Sequence, residues 1–464
     1  MILLSADYLT ADAQPGTLYF MKGIPQIKDL NPARPGIQKG FYVSLPMFSK
    51  LDLESATNGW NYNDLIHKGT GIRADSLVID LDNFISKLDK NNFLAESAAL
   101  TFVEGGFKHD KNFFGFSLSE RVSGELSIDK NLAQLIKYGN YPRQGQTIYS
   151  GSLGATIQQF HEIKFNFSRD VSKQLTIGFA AKVLFGTGAL HTGGFYIRNS
   201  SPLTGTTLDL TALGRVNISG PISINHNQAG QITNITTYAE TTLVSYLGNL
   251  GNPGFAADLG FAYRIDKKTE VSASLIDLGV LLWRQNLTQV IENGQFIYNG
   301  IDLNDPTQAP PYKPVLDKLG KDLSNAFTPS YASDNFSTLL PTRFYLGIDH
   351  QLSDAISVSG LARAGIVSNT VQTSFTAAAN TLILKILSLS ASYTAMRSGY
   401  DNAGLGAALR IGPLQIYGAA DNLFSILYPA TASNLNLRLG INLLFPNARI
   451  GKSPAINPDC NCPY

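Results

Sequence analysis

The chain is predicted to be all-β: a transmembrane, antiparallel up-and-down β-barrel of about 14 strands, with 16 the other even count that fits, and short helices in its connections or lumen. Three observations predict it. Charged residues make up 15% of 464, against about 25% in soluble domains. No run of about 18 consecutive apolar residues exists, which excludes a helical membrane protein. Segment after segment alternates apolar with small or polar residues, the two-residue period of a strand with unlike faces.

The two ends differ from the body. Residues 1–13 have a short apolar start and Ala11-Asp12-Ala13 before Gln14, which reads as the residual end of a secretory signal. Residues 14–40 are Pro-rich (Pro15, Pro25, Pro32, Pro35) and unsuited to a lipid-facing strand. Leu18, Tyr19, Phe20, Met21 and Ile24 nevertheless need burial. The expectation is a plug-like segment entering the barrel from the periplasmic side, with Pro25, Asn31 and Pro32 in it. Residues 446–464 form a tail holding both cysteines, Cys460 and Cys462, so no disulfide framework supports the core.

Between them, residues 41–445 carry the alternation. Leu387, Leu389, Ala391, Tyr393 and Ala395 oppose Ser388, Ser390, Ser392 and Thr394. Leu435, Leu437, Leu439, Ile441 and Leu443 oppose Asn436, Arg438, Gly440 and Asn442. Similar patterns mark strands near 41–53, 94–107, 112–128, 155–169, 174–190, 206–219, 254–266, 269–285, 342–353, 355–368, 372–383, 402–412 and 413–423. The apolar faces run for roughly 10 residues, the length a tilted strand needs to cross a bilayer. Their opposing faces are rich in Gly, Ser and Ala, as in a crowded or wet lumen. Asp266-Lys267-Lys268, Ser353-Asp354 and Gly412-Pro413 read as periplasmic turns, and 220–253 and 286–341 as extracellular connections. Helical spacing is expected from Asp75 through Leu88, over Asn131 to Tyr138 and over Tyr312 to Phe327.

Chemistry is sparse. The six histidines show no metal-ligand spacing, and there is no nucleophile elbow or phosphate-binding loop. The reading is non-enzymatic, with no cofactor or metal, and the formal net charge of +1 excludes a nucleic-acid binder. A lumen charge network is expected in which Arg264, Arg363, Arg410 and Arg438 pair with Asp258, Asp349 and Asp421, because unpaired charge away from bulk water is costly. Glu120 shares the outward parity of Phe116, Leu118 and Val122, where a carboxylate is out of place. Either a β-bulge turns it inward or a partner covers it. Glu120, Cys460 and Cys462 are therefore the candidate partner contacts.

Three stretches are distinctive: Leu18-Tyr19-Phe20-Met21-Lys22-Gly23-Ile24-Pro25-Gln26 with Leu30-Asn31-Pro32-Ala33, then Phe41-Tyr42-Val43-Ser44-Leu45-Pro46, and Gly251-Asn252-Pro253-Gly254-Phe255 running into Ser272-Ala273-Ser274-Leu275-Ile276-Asp277. Together they resemble an uncharacterised family of Bacteroidota outer-membrane barrels, a domain of unknown function, over nearly the whole chain. More remotely, the Asn-Pro-Ala is similar to PorP/SprF-type barrels linked to type nine secretion. The barrel with lumenal helices resembles the FadL-type fold, whose fourteen strands favour that count. The resemblance implies a bacterial outer-membrane location, contact with its lipid, and no established activity. Two roles follow as expectations. The first is a partner, scaffold or acceptor barrel in a surface export or assembly complex, bound to a protein. The alternative is a passive FadL-type channel with a hydrophobic ligand.

Overall fold

The computed structural model describes residues 16–71, 74–139, 145–150, 154–200, 208–227, 232–237, 248–298, 326, 329–367, 370–384, 386–396 and 399–446. The strands close into a 14-position antiparallel barrel. Closure leaves the sheet without a first and last free edge, because the final strand pairs with the first, the condition for a sheet in lipid.

In chain order the wall is β1 (Gly40–Ser44 and Lys50–Thr57), β2 (Asn91–His109), β3 (Asn112–Asp129), β4 (Gly154–Asp170), β5 (Leu175–Ser200), β6 (Leu208–Ser219 and Pro253–Arg264) and β7 (Thr269–Trp283, continued by Leu287–Tyr298). It goes on through β8 (Arg343–Gln351, preceded by Phe336–Leu339), β9 (Ile356–Val367), β10 (Thr370–Ile383), β11 (Leu387–Met396), β12 (Gly399–Ile411), β13 (Leu414–Ala420) and β14 (Asn434–Phe445). β14 seals the barrel against β1, with Phe41 opposite Phe445 and Leu53 opposite Leu437. Parity behaves as the alternation requires. On β11, Ser388, Ser390, Ser392 and Thr394 are buried toward the lumen, and Tyr393 is exposed on the outer belt.

Segments 206–219 and 254–266 share one wall position. The upper part of β6 pairs with Ala189–Ser200 of β5, the lower part with Leu175–Phe185. The chain leaves the wall at Gly220 and returns at Asn252, which staples the break. Its amide donates to the Gly186 carbonyl (3.2 Å) and accepts from the backbone N–H of Arg284 (2.8 Å) and Gln285 (3.0 Å). β1 is broken too. Leu45-Pro46-Met47-Phe48 makes a turn closed by the Phe48 N–H on the Leu45 carbonyl (3.0 Å), with Met47 at φ 66° and projecting outward.

The predicted turns join β6–β7, β8–β9 and β12–β13. Helix α1 (Leu81–Lys87) starts later than Asp75 suggests, because Asp80 caps it by accepting from the Asn83 N–H, 2.9 Å. Leu77–Ile79 instead pairs with Ile66–Lys68 in a small hairpin. Helix α2 (Lys130–Tyr138) is capped by Asp129. A further helix, α3 (Leu423–Leu427), fills the β13–β14 connection. The Tyr312–Phe327 helix, residues 1–13 and the cysteine tail lie outside the described residues, Ala326 excepted.

Candidate functional site in the closed lumen

The barrel interior is filled by its own N-terminal segment. Residues 16–33 are buried almost without interruption, running from Gly16–Tyr19 through a short 3-10 turn, Pro25–Asp29, toward the start of β1.

One face of the segment is apolar. Leu18, Tyr19, Phe20, Met21, Ile24, Ile27 and Leu30 form a cluster with Ile276 of β7, Tyr345 of β8, Leu361 of β9 and Tyr417 of β13. Tyr19 stacks on Tyr345, ring centroids 5.7 Å apart, and its hydroxyl meets Ser272 Oγ (3.1 Å) and the Asn31 amide (3.0 Å). The wall approaches so closely that it needs glycine. A Cβ on Gly178 would lie 2.2 Å from the Pro32 carbonyl carbon, and one on Gly260 2.4 Å from Asn31 Oδ1. Pro25 opens the 3-10 turn. At its upper end the segment is tied by the Thr17 N–H to Asp421 Oδ1 (2.6 Å) and by Thr17 Oγ1 to Ser392 Oγ (2.6 Å).

The other face is charged. Lys28 pairs with Glu104, which also accepts from the Tyr42 hydroxyl, 2.9 Å. Asp29 meets Lys164 and Lys50, the latter at 2.8 Å. Burial alone would raise the Asp29 carboxyl, but Lys164, Lys28 and Lys50 hold it well below the usual range.

From Lys50 the pairs continue around the wall with alternating sign. Lys50 meets Asp52 (3.0 Å), Asp52 meets Arg438 (3.3 Å), and Arg438 meets Glu54 (2.6 Å). Glu54 faces Arg343 (3.6 Å), which reaches Asp277 (2.5 Å). Asp277 also takes Arg121 (2.9 Å) and Lys182 (2.5 Å), whose other partners are Glu162 (2.7 Å) and Asp258 (2.6 Å). This chain of charged residues borders a space of about 50 Å³.

Asp277 is its hub. A bulge places Ile276 and Asp277 opposite Asp258, turning both inward, with Asp277 at φ 61°. Asp tolerates this left-handed conformation better than most residues. The Asp277 N–H donates to Asp258 Oδ1, 2.8 Å.

The charged residues named from sequence are distributed differently from the expected pairing. Arg438 and Asp258 belong to the network, but with Asp52, Glu54 and Lys182 as partners. Asp349 accepts from Ser359 Oγ (2.6 Å) and lies 3.9 Å from Lys22 of the N-terminal segment. Asp421 anchors Thr17. Arg363 is buried with its guanidinium over Tyr345, 5.9 Å. Arg264 and Arg410 sit at the strand ends beside the short turns, at the rim of the barrel. Arg264 contacts Glu270 (3.4 Å), and Arg410 donates to the Gly412 carbonyl (3.1 Å). Glu120 keeps its outward parity, opposite His161. It pairs with His161 and accepts from Gln159 Nε2, 2.8 Å. No bulge turns it inward; its neighbours on β4 meet it within the wall.

The missed members carried usable signals. Lys50, Asp52 and Glu54 alternate with Leu51 and Leu53, a charged stripe on one strand face. Asp277, like Glu120, is an acid at an outward-parity position, and there a bulge was the right explanation.

Fold and interior together define an outer-membrane-type β-barrel whose lumen is occupied by its own N-terminal segment. The chain belongs to a family of unknown function, DUF5723, whose model matches residues 35–421. No curated protein matches it. Among solved structures it is similar to the Ralstonia pickettii toluene transporter TbuX, with 10% identity over 94% of this chain and 97% of that one and a TM-score of 0.44. The Pseudomonas putida toluene transporter TodX gives 10%, 94%, 97% and 0.39. A Pseudomonas aeruginosa FadL homologue gives 11%, 94%, 97% and 0.37.

Proposed function

We propose that the protein is a channel of the bacterial outer membrane for small apolar or amphipathic molecules, kept closed by residues 16–33. One observation carries this reading. Leu18, Tyr19, Phe20, Met21 and Ile24 occupy a lumenal track lined by Ile276, Tyr345, Leu361 and Tyr417. A surface that accepts aliphatic and aromatic side chains accepts solutes of the same chemistry once the segment moves aside. The charged side of the lumen alternates in sign and is internally paired, so it offers no single-sign lining for ion selection. The partner-barrel role loses one support, since Glu120 is met within the wall by His161 and Gln159.

The test is uptake by proteoliposomes with a lipopolysaccharide outer leaflet. A monoaromatic solute should enter faster than into protein-free vesicles, and a disaccharide should not. Equal rates with and without protein would overturn the channel reading.

A further inference from the structure

β13 stops early. It has seven residues, and above Ala420 its place between β12 and β14 is taken by Asp421, Asn422 and α3. Side-chain amides bridge the gap that the missing ladder leaves. Asn434 Nδ2 donates to Asn402 Oδ1 (2.8 Å), and Asn422 Nδ2 reaches the amide oxygens of Asn402 and Asn434 (3.3 Å each). The inward side of α3 is polar: Asn422 caps it, and Ser425 is buried with its hydroxyl on the Asn422 carbonyl, 2.7 Å. The outward side is wholly apolar. Phe424 is 52% exposed, Leu427 61% and Tyr428 64%, with Leu423 and Ile426 also exposed. Five adjacent large apolar residues are not a surface that water leaves unpartnered without cost.

We infer that α3 is an interfacial element whose Leu423, Phe424, Ile426, Leu427 and Tyr428 side chains insert into the acyl chains of the outer leaflet. The inference rests on the membrane-channel reading above. Height is the first argument. Ala420 pairs with Leu437, eight residues along β14 from Phe445. At ~3.4 Å per residue and ~40° of tilt, that is about 21 Å above the periplasmic end, within an apolar band ~25 Å tall. Continuity is the second. Below α3 the same wall sector exposes Leu405, Ile416 and Leu439, so the helix completes the lipid-facing belt where β13 no longer does. Tyr428 then lies where barrels carry their aromatic girdle.

Nitroxide labels at Ile426→Cys and Leu427→Cys, in a Cys460→Ser/Cys462→Ser background, test this in vesicles. Collision with oxygen, which enters lipid, is compared with collision with a water-soluble nickel chelate. Leu439→Cys in the belt and Asp110→Cys in a periplasmic turn are the references. Labels at 426 and 427 should match 439, oxygen-rich and nickel-poor. Values matching 110 would place the helix in water, and low collision with both agents would place it under protein; either overturns the inference. A water-like label at 439 would instead refute membrane insertion itself.

Discussion

Replacing Asp277 by Asn removes the hub charge without changing side-chain size, and Asn also tolerates the left-handed backbone at this position. Three cations lose a partner: Arg121, Lys182 and Arg343. The first two retain close anions, Glu162 at 2.7 Å and Asp258 at 2.6 Å, whereas among the described residues Arg343 keeps Glu54 alone, at 3.6 Å. Breaking a buried pair by removing one member costs 3–5 kcal/mol as an order of magnitude. With two of three cations still paired, the expected loss is about 3 kcal/mol. Urea unfolding of the refolded barrel in lipid, followed by heat-modifiable gel migration, reads it as a lowered midpoint. Asp277→Ala should fall further, because alanine adds backbone strain at φ 61°. An Asn variant with the wild-type midpoint would refute the claim that these charges are buried and mutually dependent.

Three more outcomes are expected. Asp29→Asn should loosen the N-terminal segment toward protease, while in wild type its protection should not change between pH 8 and 5. The lowered Asp29 carboxyl contributes stability above its unfolded value near 3.8 and loses it only as pH falls through the still lower folded value; release at pH 6 would contradict this. At Met47, Gly should be more stable than Ala by about 1 kcal/mol, since the positive φ penalises any Cβ; the reverse order, normal at Leu51, would show that the turn is not formed. A double-mutant cycle of Glu120→Gln and His161→Phe should give a coupling of about 1.5–3 kcal/mol, the range for hydrogen bonds to charged groups, with no change in association state. A complex lost in Glu120→Gln would restore the partner reading.

The wall was legible because parity is local: on β11 and β14 each residue's type follows its face. Irregular positions were not. The residues at 206–219 and 254–266 look like separate strands, and only pairing with the long, continuous β5 stacks them into one. Asp277 obeys neither face of its strand until the bulge opposite Asp258 is known. The charge partners failed for another reason. Arg438 finds Asp52 and Glu54 because β14 closes on β1, a contact between residues nearly 400 positions apart, set by barrel closure and not by spacing. The N-terminal residues that need burial were readable from composition. The Gly178 and Gly260 approaches that seat Asn31 and Pro32 were not.

On the channel reading, residues 16–33 close the barrel and must move for it to conduct. Thr17 Oγ1 and Ser392 Oγ lie 2.6 Å apart, which makes Thr17→Cys/Ser392→Cys the pair to cross-link, since a disulfide joins side chains that already meet. In a Cys460→Ser/Cys462→Ser background, uptake of the monoaromatic solute should stop when this pair is oxidised and return on reduction. Uptake unchanged by a fully formed disulfide would mean that the segment is a fixed part of the lumen and that the barrel does not work by moving it.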